Sequence, residues 1–255
     1  MKGFLHFLSF KYPLGVRGAK RPRRPTERTT MTFSLLARCP ETHRFGMVIS
    51  SSSPAVAARC AHARAGVGVA ASQNITDPAL GPALLDALAR GLTAAEAMAE
   101  VTGKAAHVQY RQLMCVDAQG RTAHWSGSRI LGTWGVAEGA GVVAGGNLLA
   151  HDGVPAAMVA GFAAASGDLG DRLVAALIAG RDAGGEAGPV HSAGLLMVDA
   201  ESWPVASLRC DWVDEGCPIE AVARAWQVYA PQMAAYVQRA KDPREAPSYG
   251  VPGDE

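Results

Sequence analysis

In the sequence Met-Thr-Phe-Ser-Leu-Leu-Ala-Arg, residues 31–38, an internal methionine precedes a small residue and an extended apolar run. If translation starts at Met31, removal of that methionine is expected because the next side chain is small, and Thr32 then becomes the first residue. A terminal threonine carries a hydroxyl nucleophile and a free α-amine on one residue. That amine can act as the general base for its own hydroxyl. Thr32 is therefore the sharpest functional hint in the sequence.

Residues 1–30 differ in charge from the rest of the chain. Of the 24 Lys and Arg residues and the 23 Asp and Glu residues, eight basic residues and one acidic residue lie in this segment. Its net charge is therefore +7, whereas the remaining residues carry a net charge of −6. Such an asymmetry is typical of a tail joined to a domain. Three interpretations remain open: a mis-assigned start codon, a disordered basic arm, and a targeting or pro-segment.

The composition of residues 31–255 limits the class of protein. This length is enough for one sizeable core. We expect one domain over residues 31–242 and a frayed, polar tail over residues 243–255. No apolar run approaches the roughly 20 residues that cross a bilayer, and a mildly acidic body offers no electrostatic footprint for nucleic acid. The expected partner is a small-molecule substrate, not a membrane or a nucleic acid, and a homodimer stays open beside a monomer.

The cysteines and histidines bear on location and cofactors. The five cysteines are odd in number and form no Cys-x-x-Cys pair, which favours reduced thiols in a cytoplasmic protein over a disulfide framework. The seven histidines are scattered, without the clustered spacing of a metal site. We therefore expect a cytoplasmic protein with no metal and no cofactor.

Paired extended segments dominate the pattern of elements. Residues 32–38 and 45–49 are apolar and flank a turn-like segment, which predicts a hairpin. Further strands are predicted over residues 65–71, 108–116, 122–125, 141–149, 193–198 and 205–211, and helices over residues 77–91, 93–103, 155–165, 170–183 and 218–240. Pro231 should kink or split the final helix. Strands joined as hairpins favour antiparallel sheets, so we predict an α+β protein with two stacked antiparallel sheets and helices outside.

Several short stretches between Thr32 and about Asp211 carry a resemblance to a known family through their order and spacing. They are Thr32-Phe33-Ser34, Ala65-Gly66-Val67-Gly68, Ala71-Ser72-Gln73, Arg111-Gln112, Val116-Asp117 with Gly120, Ser126-Gly127, Gly146-Asn147 with Leu149, Ser192-Ala193, and Leu208-Arg209 with Asp211. In these stretches the chain resembles a bacterial family known as domain of unknown function 1028, which is placed in the Ntn-hydrolase superfamily. The resemblance implies a four-layer αββα sandwich and an N-terminal nucleophile mechanism, but it supplies no substrate.

The chain departs from the family pattern at five positions, one of which is Cys210 in place of a valine. Ser72 stands where the family usually has threonine, and Cys39 stands where an acidic residue is common. The family's Asp-Leu-Arg-Val-Asp-Asp begins with Ser207 and ends with Trp212 here. Ser207 and Trp212 replace two of the three aspartates of this family motif, which weakens any role for the acidic cluster that the aspartates form.

Asn147 is the second candidate catalytic residue. It follows two glycines at the end of an apolar strand, and these glycines allow a reacting group to approach closely. A side-chain amide at such a place suits the hydrogen-bond donor that acyl transfer needs at its oxyanion. The alternative is an asparagine in a turn, where this residue tolerates left-handed geometry. For Thr32 the alternative is an ordinary threonine that opens a strand.

Three further residues are candidates for substrate binding. Ser51 and Gln73 each end an apolar strand, where polar groups near a nucleophile commonly point into a site, although the serines around Ser51 also fit an ordinary loop. Arg111 lies in an apolar strand, and a buried arginine needs a partner. That partner is either a substrate carboxylate or a structural carboxylate such as Asp117 or Asp211.

These residues predict an Ntn-type hydrolase of a small amide, with Thr32 as nucleophile, its own amine as base and Asn147 as oxyanion donor. Arg111 favours a substrate that bears a carboxylate. The competing hypothesis is a non-catalytic binding or assembly module on the same fold. The mass of the intact protein separates the two, because only a chain that begins at Thr32 has the free amine.

We predict that a chain translated from Met31 folds as well as the full-length chain, because residues 1–30 contain no periodic apolar face that would add to a core. The measurement is the midpoint of thermal unfolding of both chains. A loss of more than about 4 °C, roughly what 1 kcal/mol produces in a domain of this size, would contradict the prediction.

Overall fold

The computed structural model describes residues 31–251, so the expectations for residues 1–30 and for the last four residues lie outside the described part. The strands are β1 (Thr32–Arg38), β2 (Phe45–Ser51), β3 (Ala61–Arg64), β4 (Gly68–Asn74), β5 (Arg111–Asp117), β6 (Thr122–Ser126), β7 (Gly135–Gly139), β8 (Val142–Asn147), β9 (Ser192–Val198) and β10 (Pro204–Cys210). The helices are α1 (Val56–Cys60), α2 (Leu80–Ala89), α3 (Ala94–Lys104), α4 (Val154–Ala164), α5 (Leu169–Asp182), α6 (Pro218–Tyr229) and α7 (Met233–Lys241). Short 3-10 turns lie at Val108–Tyr110, Ala230–Gln232 and Pro243–Glu245.

The strands form two antiparallel sheets. The larger sheet has the order β10-β9-β2-β1-β8-β7, and the smaller sheet has the order β3-β4-β5-β6. β1 lies near the middle of the larger sheet and pairs with β2 on one side and with β8 on the other. The first strand of the domain is therefore fixed along both of its edges.

Three buried clusters show how the layers stack. One lies between the larger sheet and helices α4, α5 and α6, and a second lies between the smaller sheet and helices α2 and α3. The third lies between the two sheets, where β1 faces β4 and β5. The predicted α+β class and four-layer αββα sandwich are thus confirmed.

Alternation along β1 assigns its side chains to two of these layers. Phe33 and Leu35 lie in the cluster under the helices, and Leu36 lies in the cluster between the sheets. Because successive side chains of a strand point to opposite faces, Thr32 and Ser34 share the inter-sheet face with Leu36. Both polar residues are buried there.

Several predicted boundaries are wrong. The strand expected over residues 65–71 begins at Gly68, because Gly66 has a φ of 69° and turns the chain so that β3 and β4 can pair. The strand expected from Val108 begins at Arg111, after a 3-10 turn that follows the left-handed His107. Helix α1 and the strands β3 and β7 were not predicted, because they are short and built largely from small residues.

Two of the three helix features predicted from the sequence are confirmed. The capping box at Thr93 is confirmed, with the Glu96 N–H donating to the Thr93 hydroxyl at 3.2 Å and the Thr93 N–H donating to the Glu96 carboxylate at 2.8 Å. Pro231 splits the last helix, since α6 and α7 flank the 3-10 turn that contains it. The helix expected from Asp77 begins instead at Leu80, after a turn in which Asp77 accepts the Ala79 N–H at 3.1 Å.

Within residues 31–251, no helix is both long enough and apolar enough to cross a membrane. The five cysteines all lie in this range and form no disulfide. The same residues contain no group of three or more His, Cys, Asp or Glu side chains that could hold a metal ion.

We predict that Gly170→Ala lowers the free energy of unfolding by about 1–3 kcal/mol, although alanine is the better helix former by ~1 kcal/mol. Gly170 lies in α5, and a Cβ at this position would come 2.1 Å from the ring of Trp226 in α6. The matched control is Gly103→Ala in α3, where a Cβ would meet nothing within 4 Å, so this change should be neutral or stabilising. Urea unfolding of the two variants decides, and equal destabilisation would refute the packing argument.

Candidate active site

One end of the space between the sheets is polar. The residues that face this space at the opposite end are apolar, among them Leu36, Met47 and Val116. The polar end is formed by the ends of five strands, and its side chains are all buried. They are Thr32 and Ser34 of β1, Ser51 of β2, Gln73 of β4, Gln112 of β5 and Asn147 of β8. The structure therefore brings four of the five residues proposed from the sequence to one place.

Thr32 lies at the centre of this polar end. Its cross-strand partners are Ser51 on β2 and Asn147 on β8, and directly opposed residues have Cβ atoms about 4.5–5.5 Å apart. The Thr32 side chain is 5% exposed. Its hydroxyl donates to the Met31 carbonyl at 2.7 Å and lies 3.3 Å from the Ser51 hydroxyl. The nucleophile proposed from the sequence thus contacts a carbonyl group.

A chain of hydroxyls leads from an arginine to that same carbonyl. Arg59 of α1 donates to the Ser53 hydroxyl at 2.7 Å, Ser53 lies 2.8 Å from the Ser51 hydroxyl, and Ser51 donates to the Met31 carbonyl. A guanidinium can only donate, so the Ser53 hydrogen is free to point towards Ser51. The Ser51 hydrogen in turn points towards the carbonyl. Neither Ser53 nor Arg59 was proposed from the sequence, because only the fold of α1 against β2 brings them to Thr32.

A second set of hydrogen bonds joins the two sheets. Ser34 donates to the Gln73 carbonyl oxygen at 2.7 Å, and the Gln73 amide donates to Gln112 at 2.8 Å. Gln112 donates back across the interface to the Gly146 carbonyl at 3.3 Å. All of these side chains have 0% exposure. Gln73, proposed as a substrate-binding residue, is therefore held by protein partners next to the site.

Asn147 is bound only at one end of its amide. Its NH2 group donates to Gln112 at 3.4 Å, which uses one of its two hydrogens. Its Oδ1 atom is buried and has no hydrogen-bond partner among the described residues. Buried polar atoms are nearly always partnered, so Asn147 keeps both a donor and an acceptor for another group. The left-handed residue at this turn is Leu148, with a φ of 51°, so the turn interpretation of Asn147 does not hold.

Met31 occupies the space next to Thr32. Its side chain is 7% exposed, and a Cβ at Gly188 would come 2.7 Å from its terminal methyl carbon. Its backbone N–H donates to the Ser52 hydroxyl at 3.0 Å. The end of β2 therefore holds the carbonyl and the N–H of this residue through Ser51 and Ser52, while its side chain lies against Gly188.

Glu186 is a buried carboxylate beside this space that the sequence analysis missed. It lies in the loop after α5, is 5% exposed, and accepts the Ser52 N–H at 3.2 and 3.0 Å through its two oxygens. Burial raises its pKa from 4.5 to about 8, against the opposing effect of the hydrogen bonds from Ser52. In the sequence, a single acidic residue between Gly185 and Ala187 is typical of an exposed loop. No sequence signal therefore indicated that Glu186 is buried.

Arg111 does not join these residues. It precedes Gln112 on β5, so its side chain leaves the strand on the other face, and its guanidinium donates to the Ile75 carbonyl. The two structural partners expected for it are also wrong. Asp117 pairs with Arg121 at 2.7 Å and Asp211 pairs with Arg209 at 2.5 Å.

The model of a family of unknown function, DUF1028, matches residues 32–222 of this chain. The chain belongs to this family. A crystal structure of a Silicibacter pomeroyi protein of the same family is 30% identical, with a TM-score of 0.73, and the match covers 78% of this chain and 89% of that chain.

Two more distant solved structures also match. HslV from Trypanosoma brucei is 12% identical, with a TM-score of 0.42, over 66% of this chain and 99% of that chain. Anbu, an ancestral β-subunit from Yersinia bercovieri, is 11% identical, with a TM-score of 0.37, over 80% of this chain and 97% of that chain. Both TM-scores are below 0.5, so these likenesses say nothing further about the chain. A comparison with curated proteins found no match.

Three of the departures from the DUF1028 pattern have defined contacts in the structure. The Ser72 hydroxyl donates to the Asp77 carbonyl at 2.8 Å, and the Cys39 thiol donates to Glu41 at 3.1 Å. Trp212 stacks on His191 with ring centroids 4.4 Å apart. Ser72, Cys39 and Trp212 thus each contact a residue outside the set that forms the polar end between the sheets.

We predict that Glu186→Gln flattens the dependence of stability on pH between about 4.5 and about 8. In this range the unfolded carboxyl is ionised while the folded one keeps its proton, so the wild-type free energy of unfolding falls as the pH rises, by at most ~1.4 kcal/mol per pH unit from this group. The measurement is urea unfolding at both ends of the range. The control is Glu245→Gln, which removes an exposed carboxylate and should follow the wild type. A wild type and a Glu186→Gln variant with parallel pH profiles would contradict the buried, protonated state.

Proposed function

We propose that this protein is an Ntn-type hydrolase of a small amide, with Thr32 as the nucleophile once Met31 has been removed. The observation that carries the proposal is a carbonyl group contacted by two hydroxyls, since both Thr32 and Ser51 donate to the Met31 carbonyl. Acyl transfer needs a nucleophile and an independent hydrogen-bond donor at one carbonyl. A substrate carbonyl would lie beside the position of the Met31 carbonyl, within reach of the same two hydroxyls.

The reaction follows from the groups at this position. The Thr32 Oγ attacks the amide carbon, and its proton passes to the Thr32 α-amine. The carbon–nitrogen bond then breaks, the leaving amine takes that proton, and an ester to Thr32 remains. Water adds to the ester with the same amine as base, the carbon–oxygen bond to Thr32 breaks, and the acid leaves with the hydroxyl restored.

In this proposal two groups stabilise the oxyanion. Ser51 donates to the carbonyl oxygen already, and the chain from Arg59 through Ser53 sets the direction of its hydrogen. Asn147 is the cross-strand neighbour of Thr32 and keeps one N–H for a further acceptor. A single donor of this kind contributes about 3–4 kcal/mol in known cases.

The proposal has one strict chemical condition. With Met31 attached, the nitrogen of Thr32 is an amide and cannot accept a proton. A free terminal amine has an ordinary pKa of about 7.7–8.0, and a buried surrounding lowers the pKa of an amine and so increases its neutral fraction. A chain that keeps Met31 would instead favour the alternative, a binding or assembly module in which the Met31 carbonyl fills the site.

We predict that a chain whose mass shows a Thr32 terminus hydrolyses members of a panel of small amides, measured by release of ammonia or amine. Thr32→Ala should lose this turnover with the midpoint of thermal unfolding nearly unchanged, because the hydroxyl faces a site. Thr32→Ser should retain part of it, since hydroxyl and amine survive and only a rotamer-fixing methyl is lost. Ser51→Ala should reduce kcat by about 10²–10³-fold, as the loss of an oxyanion donor does.

The matched control is Ser34→Ala, which removes a hydroxyl on the same face of β1 that donates to Gln73. It should keep measurable turnover, since this hydroxyl does not contact the carbonyl. A chain with one uncleavable residue retained before Thr32 should be as inactive as Thr32→Ala. Full activity in that blocked chain would eliminate the N-terminal mechanism and turn attention to the serines.

A further inference from the structure

The residue before Thr32 is held as a ligand would be held. Three of its groups have defined partners: the carbonyl contacts the hydroxyls of Thr32 and Ser51, the N–H donates to Ser52, and the side chain packs towards Gly188. Loss of Met31 therefore leaves a space shaped for an acyl group that carries a nitrogen and a side chain on its α-carbon. An acyl group with these features is an α-aminoacyl group.

The partner of that nitrogen is linked to a buried carboxylate. The Met31 N–H donates to the Ser52 hydroxyl, and both the Ser52 hydroxyl and the Ser52 N–H hydrogen-bond Glu186. Among the described residues, no Lys, Arg or His side chain forms an ion pair with Glu186. Buried carboxylates are normally paired with a cation. Without a cation Glu186 keeps its proton, and a cationic group of a ligand would pair with its ionised form.

We infer that the site takes an α-aminoacyl amide and that Glu186, together with Ser52, binds the free α-ammonium group of its acyl part. This inference rests on the proposed hydrolase function and names its substrate class. Hydrolysis then breaks the acyl carbon–nitrogen bond, adds water across it, and releases an α-amino acid and an amine.

The position of Gly188 determines which side chain of the substrate's acyl part fits the site. A Cβ at Gly188 would come 2.7 Å from the methyl carbon of the Met31 side chain, so glycine at this position leaves room for an unbranched chain of that length. Substrates with a methionine-like side chain should therefore fit. Gly188→Ala should shorten the pocket and favour a small side chain such as that of alanine.

The experiment measures binding with a matched pair of probes, L-methioninamide and 4-(methylthio)butanamide, which lacks only the amino group. The protein is the chain translated from Met31, with Thr32→Ala to prevent turnover, after its thermal unfolding has been compared with that of the full-length chain. Calorimetric titration should show L-methioninamide binding at least about tenfold more tightly, as expected for a charge-assisted hydrogen bond to a buried carboxylate. Binding should also release about one proton at neutral pH, because Glu186 must ionise to pair with the ammonium.

Two substitutions and one control separate the contributions. Glu186→Gln should abolish both the preference for the amino group and the proton release, while leaving binding of 4-(methylthio)butanamide unchanged. Gly188→Ala should weaken binding of L-methioninamide but not of L-alaninamide. Glu245→Gln removes an exposed carboxylate and should change neither the preference for the amino group nor the proton release. The full-length chain, if its mass shows that Met31 is retained, should bind no probe because that residue fills the space.

The outcomes distinguish this inference from the function on which it rests. Equal binding of the two amides, or a preference that survives Glu186→Gln, overturns the inference even if the Thr32 chain hydrolyses amides. A preference that depends on Glu186, in a Thr32 chain that turns over no amide, supports the aminoacyl site and rejects the hydrolase. Binding to a full-length chain that retains Met31 places the ligand elsewhere and also overturns the inference.

Discussion

The pairing of β1 with a strand on each side is the constraint on which the site depends. It fixes Thr32 directly opposite Ser51 and Asn147, so the three side chains share one face without any loop to position them. Close approach of β8 depends on glycine at two positions. A Cβ at Gly146 would come 2.9 Å from the Thr32 carbonyl oxygen, and one at Gly145 would come 2.8 Å from the Met114 sulfur.

The space between the sheets changes character along its length, and this change has an energetic consequence. At the apolar end, burial of hydrocarbon stabilises the stack of two sheets. At the polar end, buried amides and hydroxyls destabilise the fold unless each finds a partner. The bonds from Ser34 through Gln73 to Gln112 meet that requirement and hold the sheets in register beside Thr32. Rigid support of this kind keeps a reacting group in place.

The sequence predicted the features that depend on local pattern. Alternation and turn residues located most strands, the capping box located α3, and the internal Met-Thr pair located the centre of the polar end. The face of Arg111 was predictable in principle. Neighbouring residues of a strand point to opposite faces, so the side chains of Arg111 and Gln112 cannot lie on the same face. Local sequence signals do not show which strand ends meet in the fold, so the roles of Ser53 and Arg59 follow only from the packing of α1.

Glu186 shows the limit of sequence reasoning more sharply. Its neighbours in sequence are small residues typical of a surface loop, and its burial arises from contact with Ser52, which is 134 residues away in the chain. Long-range contacts of this kind have no periodic signature. The unusual protonation of Glu186 is likewise a property of the folded site, since desolvation is its main cause.

Removal of Met31 takes away the hydrogen bonds that this residue makes with the site. While the residue is present, its carbonyl accepts from Thr32 and Ser51 and its N–H donates to Ser52. Once it is gone, the Thr32 hydroxyl keeps only its contact with Ser51, and the Ser51 hydroxyl keeps Ser53 but loses the acceptor of its hydrogen. Asn147 Oδ1 has no partner among the described residues. A buried polar group left unpaired costs about 1–3 kcal/mol, so the vacated site favours any ligand that restores the lost bonds. The residue that blocks the amine thus also defines, by the contacts it leaves behind, what can replace it.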